Sequence, residues 1–275
     1  MAGPPPQTGT LQERLMRLAQ TLQFAWFAGH VTLLFSALRY GLSYIFFNYY
    51  SRMARFSYRL AFISACITYG IVVYKGVRAK QKTGKPISPL SMLGDENVQY
   101  LLMALVWLFS RQIPLAILPF TVYSLFHVLT YTRANLLPTI APTPDGRPKA
   151  SGLSDTIGKF VKDYYDQSMT IVAALEIALW FRLFLSALMF QKGSWILLVI
   201  YTAFFRARHA QSSFVQGAVT NLTARADAQF ANQSMNPAVR QGWETVKSVV
   251  KQAHDATDLR KYLGSEPGAG PKKAQ

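Results

Sequence analysis

The chain has 275 residues, of which 51% are hydrophobic and only 15% charged, whereas a soluble domain usually carries about 25% charged residues. Its 29 Lys and Arg outnumber 13 Asp and Glu, giving a formal net charge of +16. The basic residues lie beside apolar segments, and no recognition helix or base-stacking motif accompanies them. This indicates anionic lipid headgroups as the partner and argues against nucleic acid. One cysteine and four scattered histidines give neither a disulfide framework nor a metal-ligand pattern, and we expect no cofactor.

The first predicted element is an amphipathic helix that leads into the membrane. Leu11, Leu15 and Leu18 recur at helical spacing with charged residues between them. We assign residues 1–21 to an N-terminal tail and this helix, and we expect the three leucines at the membrane interface. The alternative is that the segment is the frayed start of the first membrane helix.

Three pairs of apolar segments predict membrane hairpins at residues 22–74, 98–132 and 168–206. In the second pair, one helix of 36 residues from Asn97 to Thr132 would be about 54 Å long, against a hydrocarbon core of about 30 Å. A break near Arg111–Pro114 is therefore predicted, because proline removes a helical hydrogen bond. In the third pair the apolar run 195–205 spans only about 16 Å, so the number of full crossings stays open.

Polar segments separate and follow these hairpins. They are a basic loop at 75–97, a linker at 133–167, amphipathic helices at 207–263 and a disordered tail at 264–275. The predicted fold class is all-α: an integral membrane protein with about three helical hairpins, four to six membrane-embedded helices and cytosolic amphipathic helices.

The last amphipathic helix has two distinct faces. Trp243, Val246 and Val250 would insert into the membrane, and Arg240, Lys247 and Lys251 would meet anionic headgroups. The alternative is a helix that binds a protein or packs on the membrane domain.

Three hairpins place both termini on one side of the membrane, and the excess of Lys and Arg there predicts the cytosol. The sequons at Asn221 and Asn232 would be used only on a luminal tail. Lys272 and Lys273 near the C-terminus have the arrangement of a dilysine signal for retrieval to the endoplasmic reticulum, which works only in the cytosol.

Polar side chains within the apolar segments are the candidate functional residues. They are Arg39, Arg59, Arg111, His127, Glu176 and Arg182. An intramembrane charge often marks function, so one hypothesis is a small-solute or ion transporter or channel that uses Glu176 with Arg39, Arg59 or Arg182. The other is a structural ion pair between helices, or snorkelling arginines. His127 lacks a Ser/Asp constellation, so we expect it to pack or to hydrogen-bond between helices, and we expect no enzyme.

The block Asp95-Glu96-Asn97-Val98-Gln99-Tyr100-Leu101-Leu102, with Pro119-Phe120-Thr121-Val122-Tyr123-Ser124-Leu125-Phe126-His127 and Thr130-Tyr131-Thr132, resembles the transmembrane protein 33 family. That family includes fungal pore-membrane and perinuclear proteins. The resemblance covers roughly residues 20–215. It implies a non-enzymatic, multi-pass protein of the endoplasmic reticulum and nuclear envelope. It also implies reticulon-type partners and nucleoporins, with effects on the tubular network and on nuclear pore distribution.

Overall fold

The computed structural model describes residues 9–84, 88–141, 152–230 and 236–256, and every regular element in these ranges is helical. The helices are α1 (Leu11–Ala19), α2 (Leu22–Ile45), α3 (Arg52–Lys82), α4 (Pro89–Leu93), α5 (Glu96–Phe109), α6 (Pro114–Tyr131), α7 (Leu137–Ile140), α8 (Gly152–Leu188), α9 (Ser194–Gln211), α10 (Ser213–Phe230) and α11 (Pro237–Ala256), with a π-helical turn at Thr132–Leu136 between α6 and α7. The prediction of an all-α integral membrane protein is confirmed.

Local chemistry explains several of the helix boundaries. Thr10 caps α1 in a reciprocal capping box with Glu13, and the hydroxyls of Thr21 and Ser51 accept from the first turns of α2 and α3. Pro114 stands at the start of α6, where its missing N–H has no helical partner to lose. The break predicted near Arg111–Pro114 is therefore present.

Three turns lie together at one end of the bundle, and we call this the turn end. The phenol of Tyr58, near the start of α3, accepts from the backbone N–H of Ile113 in the α5–α6 turn. Arg111 in that turn donates to Gln191 and Ser194 in the α8–α9 turn. The α2–α3 (46–51), α5–α6 (110–113) and α8–α9 (189–193) turns therefore lie at the same end of the bundle. At the opposite end, which we call the loop end, Gln211 donates to the carbonyl of Gly94.

Two polar segments are more helical than expected. Helix α3 continues through residues 75–82, so the basic loop begins only after Lys82. Helix α8 has 37 residues and begins at Gly152, so the second half of the segment assigned as a linker (133–167) is helix. The proposed tail at 264–275 lies outside the described residues.

Within the described ranges, three helical stretches are long and apolar enough to cross a membrane, namely Arg52–Lys82, Pro114–Ile140 and Gly152–Leu188. A fourth candidate is the pair α1 and α2, which is bent by 82° at Gln20–Thr21. Helix α5 is shorter and apolar.

The chain divides into two compact units, Met1–Ala218 and Val219–Gln275. The core of the first unit is rich in aromatic side chains, with Tyr58, Phe62, Trp107 and Tyr201 almost fully buried. Small residues let the helices approach one another. A Cβ on Gly29 of α2 would lie 2.5 Å from Cγ2 of Thr68 in α3.

Candidate functional site

An ionic cluster lies inside the first unit, where α5, α6, α8 and α9 meet. Glu176 of α8 is 1% exposed and Arg208 of α9 is 3% exposed. Arg208 Nε lies 3.2 Å from Glu176 Oε1, and Tyr100 of α5 donates its phenol proton to the same carboxylate. Arg208 Nη1 also lies 3.1 Å from Glu96 Oε2 at the start of α5.

Two further phenols complete this ionic cluster. Tyr123 of α6 accepts from Arg208 Nη2 at 3.3 Å, and the guanidinium lies 5.2 Å from the centre of the Tyr100 ring. Tyr201 donates to the backbone carbonyl of Glu176. Four helices are thereby joined through one buried ion pair, while Glu176 Oε2 has no hydrogen-bond partner among the described residues.

The partner of Glu176 is Arg208, rather than Arg39, Arg59 or Arg182 as the pathway hypothesis required. Arg208 escaped the sequence reasoning because it lies past the apolar run 195–205. A signal was nevertheless present. Tyr201, Phe204 and Arg208 follow one another at i, i+3 and i+7, which places the arginine on the buried aromatic face of α9.

His127 contacts aromatic rings of α2. Its ring centre lies 4.9 Å from that of Trp26 and 4.7 Å from that of His30. His30 in turn is within 2.9 Å of the hydroxyl of Ser124. Within the part of the chain that the structure describes, no group of three His, Cys, Asp or Glu could hold a metal ion.

The four arginines of the apolar segments all lie near the turn end. Arg39 donates to Ser43 on its own helix, and Arg182 donates to Ser186 on its own helix. Arg59 reaches the backbone carbonyl of Trp107 at 3.3 Å. Their partners, like those of Arg111, are neutral oxygens, so these residues do not join the ionic cluster.

Helix α1 is separate from α2, as the amphipathic-helix interpretation requires. Leu11 and Leu15 are 45% and 36% exposed, and Leu18 is 2% exposed. We expected Leu18 at the membrane interface, but it is buried. Helix α1 packs against both α7 and α2. The burial of Leu18 leaves Leu11 and Leu15 as the exposed leucines of this face.

In the second unit, α11 is held against the end of α10 by contacts among four residues, which we call the clasp. The carboxylate of Asp227 accepts from the indole of Trp243 at 2.7 Å and from Lys247 at 2.8 Å. Phe230 stacks on Trp243 with ring centres 5.0 Å apart. These contacts half-bury Trp243, which we had expected to be free for insertion, and they pair Lys247 within the protein.

A strip of valines on α11 stays exposed. Val239, Val246, Val249 and Val250 are 44%, 50%, 57% and 62% exposed, and Arg240 and Lys251 are exposed beside them. The apolar face predicted from Val246 and Val250 is thus accessible. Lys272, Lys273 and the sequon at Asn232 lie outside the described residues.

An aromatic-rich helical bundle with candidate membrane spans, together with an amphipathic second unit, defines a multi-pass helical membrane protein. A family model described as Transmembrane protein 33/Nucleoporin POM33 matches residues 4–255. The chain belongs to this family, as the sequence resemblance predicted.

Relatives in fungi cover most or all of the chain. Nucleoporin POM33 of Chaetomium thermophilum is 53% identical, with both chains covered completely. Tetra-spanning protein 1 of Schizosaccharomyces pombe is 32% identical over 88% of each chain. The pore membrane protein of 33 kDa of Saccharomyces cerevisiae is 29% identical over 88% of this chain and 87% of its own. None of these names describes an enzyme. No solved structure matches the chain.

Proposed function

We propose that this protein organises the membrane of the endoplasmic reticulum and nuclear envelope at nuclear pores, without catalysis and with both termini in the cytosol. The observation that carries this proposal is the exposed valine strip of α11 with Arg240 and Lys251 beside it. An amphipathic helix of this kind binds at the headgroup layer through its apolar face and is attracted to anionic lipids. The names of the relatives support the pore as the place of action.

The hairpins provide the second part of the proposed mechanism. Hairpins that occupy more of one leaflet than of the other favour a curved membrane. Interfacial helices such as α1 and α11 add to this effect because they expand the headgroup layer on one side. Reticulon-type membrane proteins, which the family resemblance implies as partners, would stabilise the same curved regions.

The experiment replaces valines on the exposed strip in the full chain. Val246→Asp/Val250→Asp is expected to abolish enrichment at the nuclear rim and to disturb pore spacing, in cells that lack the endogenous relative. The matched control, Gln241→Asp/Ser248→Asp, adds the same charge to the opposite face and should behave like the wild type. Both variants should resist extraction with alkaline carbonate, which shows that the bundle still inserts. Normal rim enrichment of the valine variant would overturn the proposal.

A second measurement separates lipid contact from protein contact. In vesicles of phosphatidylcholine and phosphatidylserine with brominated acyl chains, Val246→Trp in the full chain should give quenched fluorescence. The control is Ser248→Trp on the polar face, which should be quenched less. Equal quenching of the two would indicate that a protein, rather than lipid, covers this helix.

The transporter hypothesis receives less support from the geometry. Its central residue, Glu176, is buried and is paired with Arg208 and Tyr100. A buried ion pair of this kind supports the other hypothesis from the sequence, namely a structural ion pair that joins helices.

A further inference from the structure

An apolar groove runs along the outside of the first unit between α2 and α6. Its volume is about 890 Å³, within the range of about 300–1,000 Å³ that is typical of ligand sites. Leucine and isoleucine dominate the lining, which includes Leu38, Leu42, Ile117, Leu118 and Leu125. Leu38 and Leu118 are 61% and 43% exposed, so the groove faces the surroundings of the bundle.

One charged side chain, Arg182 of α8, also lines this groove. Its guanidinium donates to the hydroxyl of Ser186, which is a neutral partner. It lies six residues before α8 ends at Leu188, and Arg111 lies in the adjacent turn 110–113. The groove is therefore apolar along most of its length and has one cationic side chain near the turn end.

The turn end carries a strong excess of positive charge. Seven basic residues lie in or near its three turns, namely Arg39, Arg52, Arg55, Arg59, Arg111, Arg182 and Lys192. The sequence has no Asp or Glu in residues 14–94, 97–144 or 177–226, so the three turns and the helix ends that flank them contain no carboxylate side chain. Charges held near an apolar medium without counter-charge are costly. An anion from outside the chain is therefore favoured at this end.

We propose that the groove is a specific binding site for one anionic phospholipid. An acyl chain lies between α2 and α6, and the phosphate is bound by Arg182 with Arg111 nearby. A guanidinium matches phosphate geometry with paired hydrogen bonds. A small soluble anion would use the arginines but leave the apolar groove empty, whereas a phospholipid satisfies both. This site goes beyond the proposed function, because it is built by the first unit and needs neither α10 nor α11.

The test measures lipid retention by the purified full chain. Native mass spectrometry in detergent, with phosphatidylinositol and phosphatidylcholine as competing probes, should show one retained phosphatidylinositol. Arg182→Gln should weaken that retention about tenfold, since a hydrogen bond to a charged group is lost. Leu118→Trp, which fills the groove without changing charge, should weaken it at least as much.

Matched controls distinguish this site from general lipid attraction. Arg55→Gln removes a charge from the turn end outside the groove, and Leu105→Trp enlarges an exposed leucine of α5 outside the groove. Both should keep wild-type retention. The wild-type circular dichroism spectrum and gel-filtration volume should be preserved in all four variants, and Leu118→Val gives a milder change if Leu118→Trp fails to fold.

Three outcomes would overturn the proposal. They are equal retention of the two lipids, equal losses in groove and control variants, and a second protein copy that cross-links at Leu118 in place of lipid. The Val246→Asp/Val250→Asp variant should retain the lipid normally. Failure of the groove site and failure of the proposed membrane-organising function are therefore separable.

Discussion

Arg208 is the residue on which the buried carboxylate of Glu176 depends. Removing one partner of a buried ion pair costs about 3–5 kcal/mol, because the other charge is left uncompensated. We expect Arg208→Ala to lower the free energy of unfolding of the detergent-solubilised full chain by about this amount, measured by reversible denaturation monitored by circular dichroism.

The control for this prediction is Arg225→Ala, an exposed position on α10, which should change stability little. The double variant Glu176→Leu/Arg208→Leu should recover part of the loss, because apolar replacement of both charges removes the desolvation cost. If Arg208→Ala were as stable as Arg225→Ala, the ionic cluster would not hold the four helices together.

Gly29 is the second residue with a sharply defined role. A Cβ at this position would lie 2.5 Å from Cγ2 of the buried Thr68, and overpacking of this kind costs about 1–3 kcal/mol. Gly29→Ala should therefore lower the thermal unfolding temperature. Thr68→Ser removes only the clashing methyl group, so the double variant Gly29→Ala/Thr68→Ser should regain most of that loss.

Gly70→Ala is the comparison for Gly29→Ala, because a Cβ at Gly70 meets nothing within 4 Å. This substitution should be neutral or slightly stabilising, since alanine is the better helix former. A loss at Gly70 as large as that at Gly29 would contradict the proposed close approach of α2 and α3.

The clasp between α10 and α11 has a predictable response to pH. Hydrogen bonds from Lys247 and Trp243 hold the pKa of Asp227 below its usual 3.8. A carboxyl group whose pKa is depressed on folding stabilises the clasp at higher pH, and this contribution is lost as pH falls through the lowered pKa. Fluorescence of Trp243, isolated by comparison with Trp243→Phe, should therefore be constant near neutrality and change only well below the usual carboxyl range. Asp227→Asn should abolish this acid response.

Sequence patterns predict the helices better than the contacts between them. The proline at 114 and the length limit of the bilayer fix the break between α5 and α6. The start of α8 at Gly152 could not be read in this way, because residues 152–167 are polar and their helix is mostly exposed. Likewise, the π-helical turn at Thr132–Leu136 has no pattern of its own. There the guanidinium of Arg133 packs over the backbone of Gly158.

The candidate functional residues show the same difference between helix patterns, which the sequence predicts, and contacts between helices, which it does not. The valine strip of α11 follows from periodicity alone, but the clasp at Trp243 requires knowledge of where α10 ends. Glu176 and Arg208 are 32 residues apart, and only the folded bundle shows which arginine reaches the carboxylate. The burial of Leu18 is also tertiary, since it depends on how the rest of the first unit packs against α1.

At the scale of the whole molecule, the structure makes a topology prediction. The three turns lie at one end, while α3 ends at Lys82 and α4 begins at Pro89 at the other. With cytosolic termini, the loop end faces the outside of intact microsomes and the turn end faces the lumen. A protease-cleavage tag inserted after Thr83 should therefore be cut by added protease, and a tag inserted after Asn48 should be protected. Asn221 should carry no sugar. Cleavage of both tags, or glycosylation of Asn221, would contradict cytosolic termini.

The unequal lengths of the helices have a further consequence. Helices α3 and α8 have 31 and 37 residues, or about 46 and 56 Å, against a hydrocarbon core of about 30 Å. Both helices have one end at the turn end. If they lie nearly parallel to the bilayer normal, the roughly 16 to 26 Å of helix that exceeds the hydrocarbon core extends out of the membrane on the opposite side. These extensions of α3 and α8 beyond the membrane carry Lys75, Arg78, Lys159 and Lys162. A protein bound at the ends of these extensions would be kept at a fixed distance from the membrane surface. Each added helical turn would increase that distance by about 5 Å.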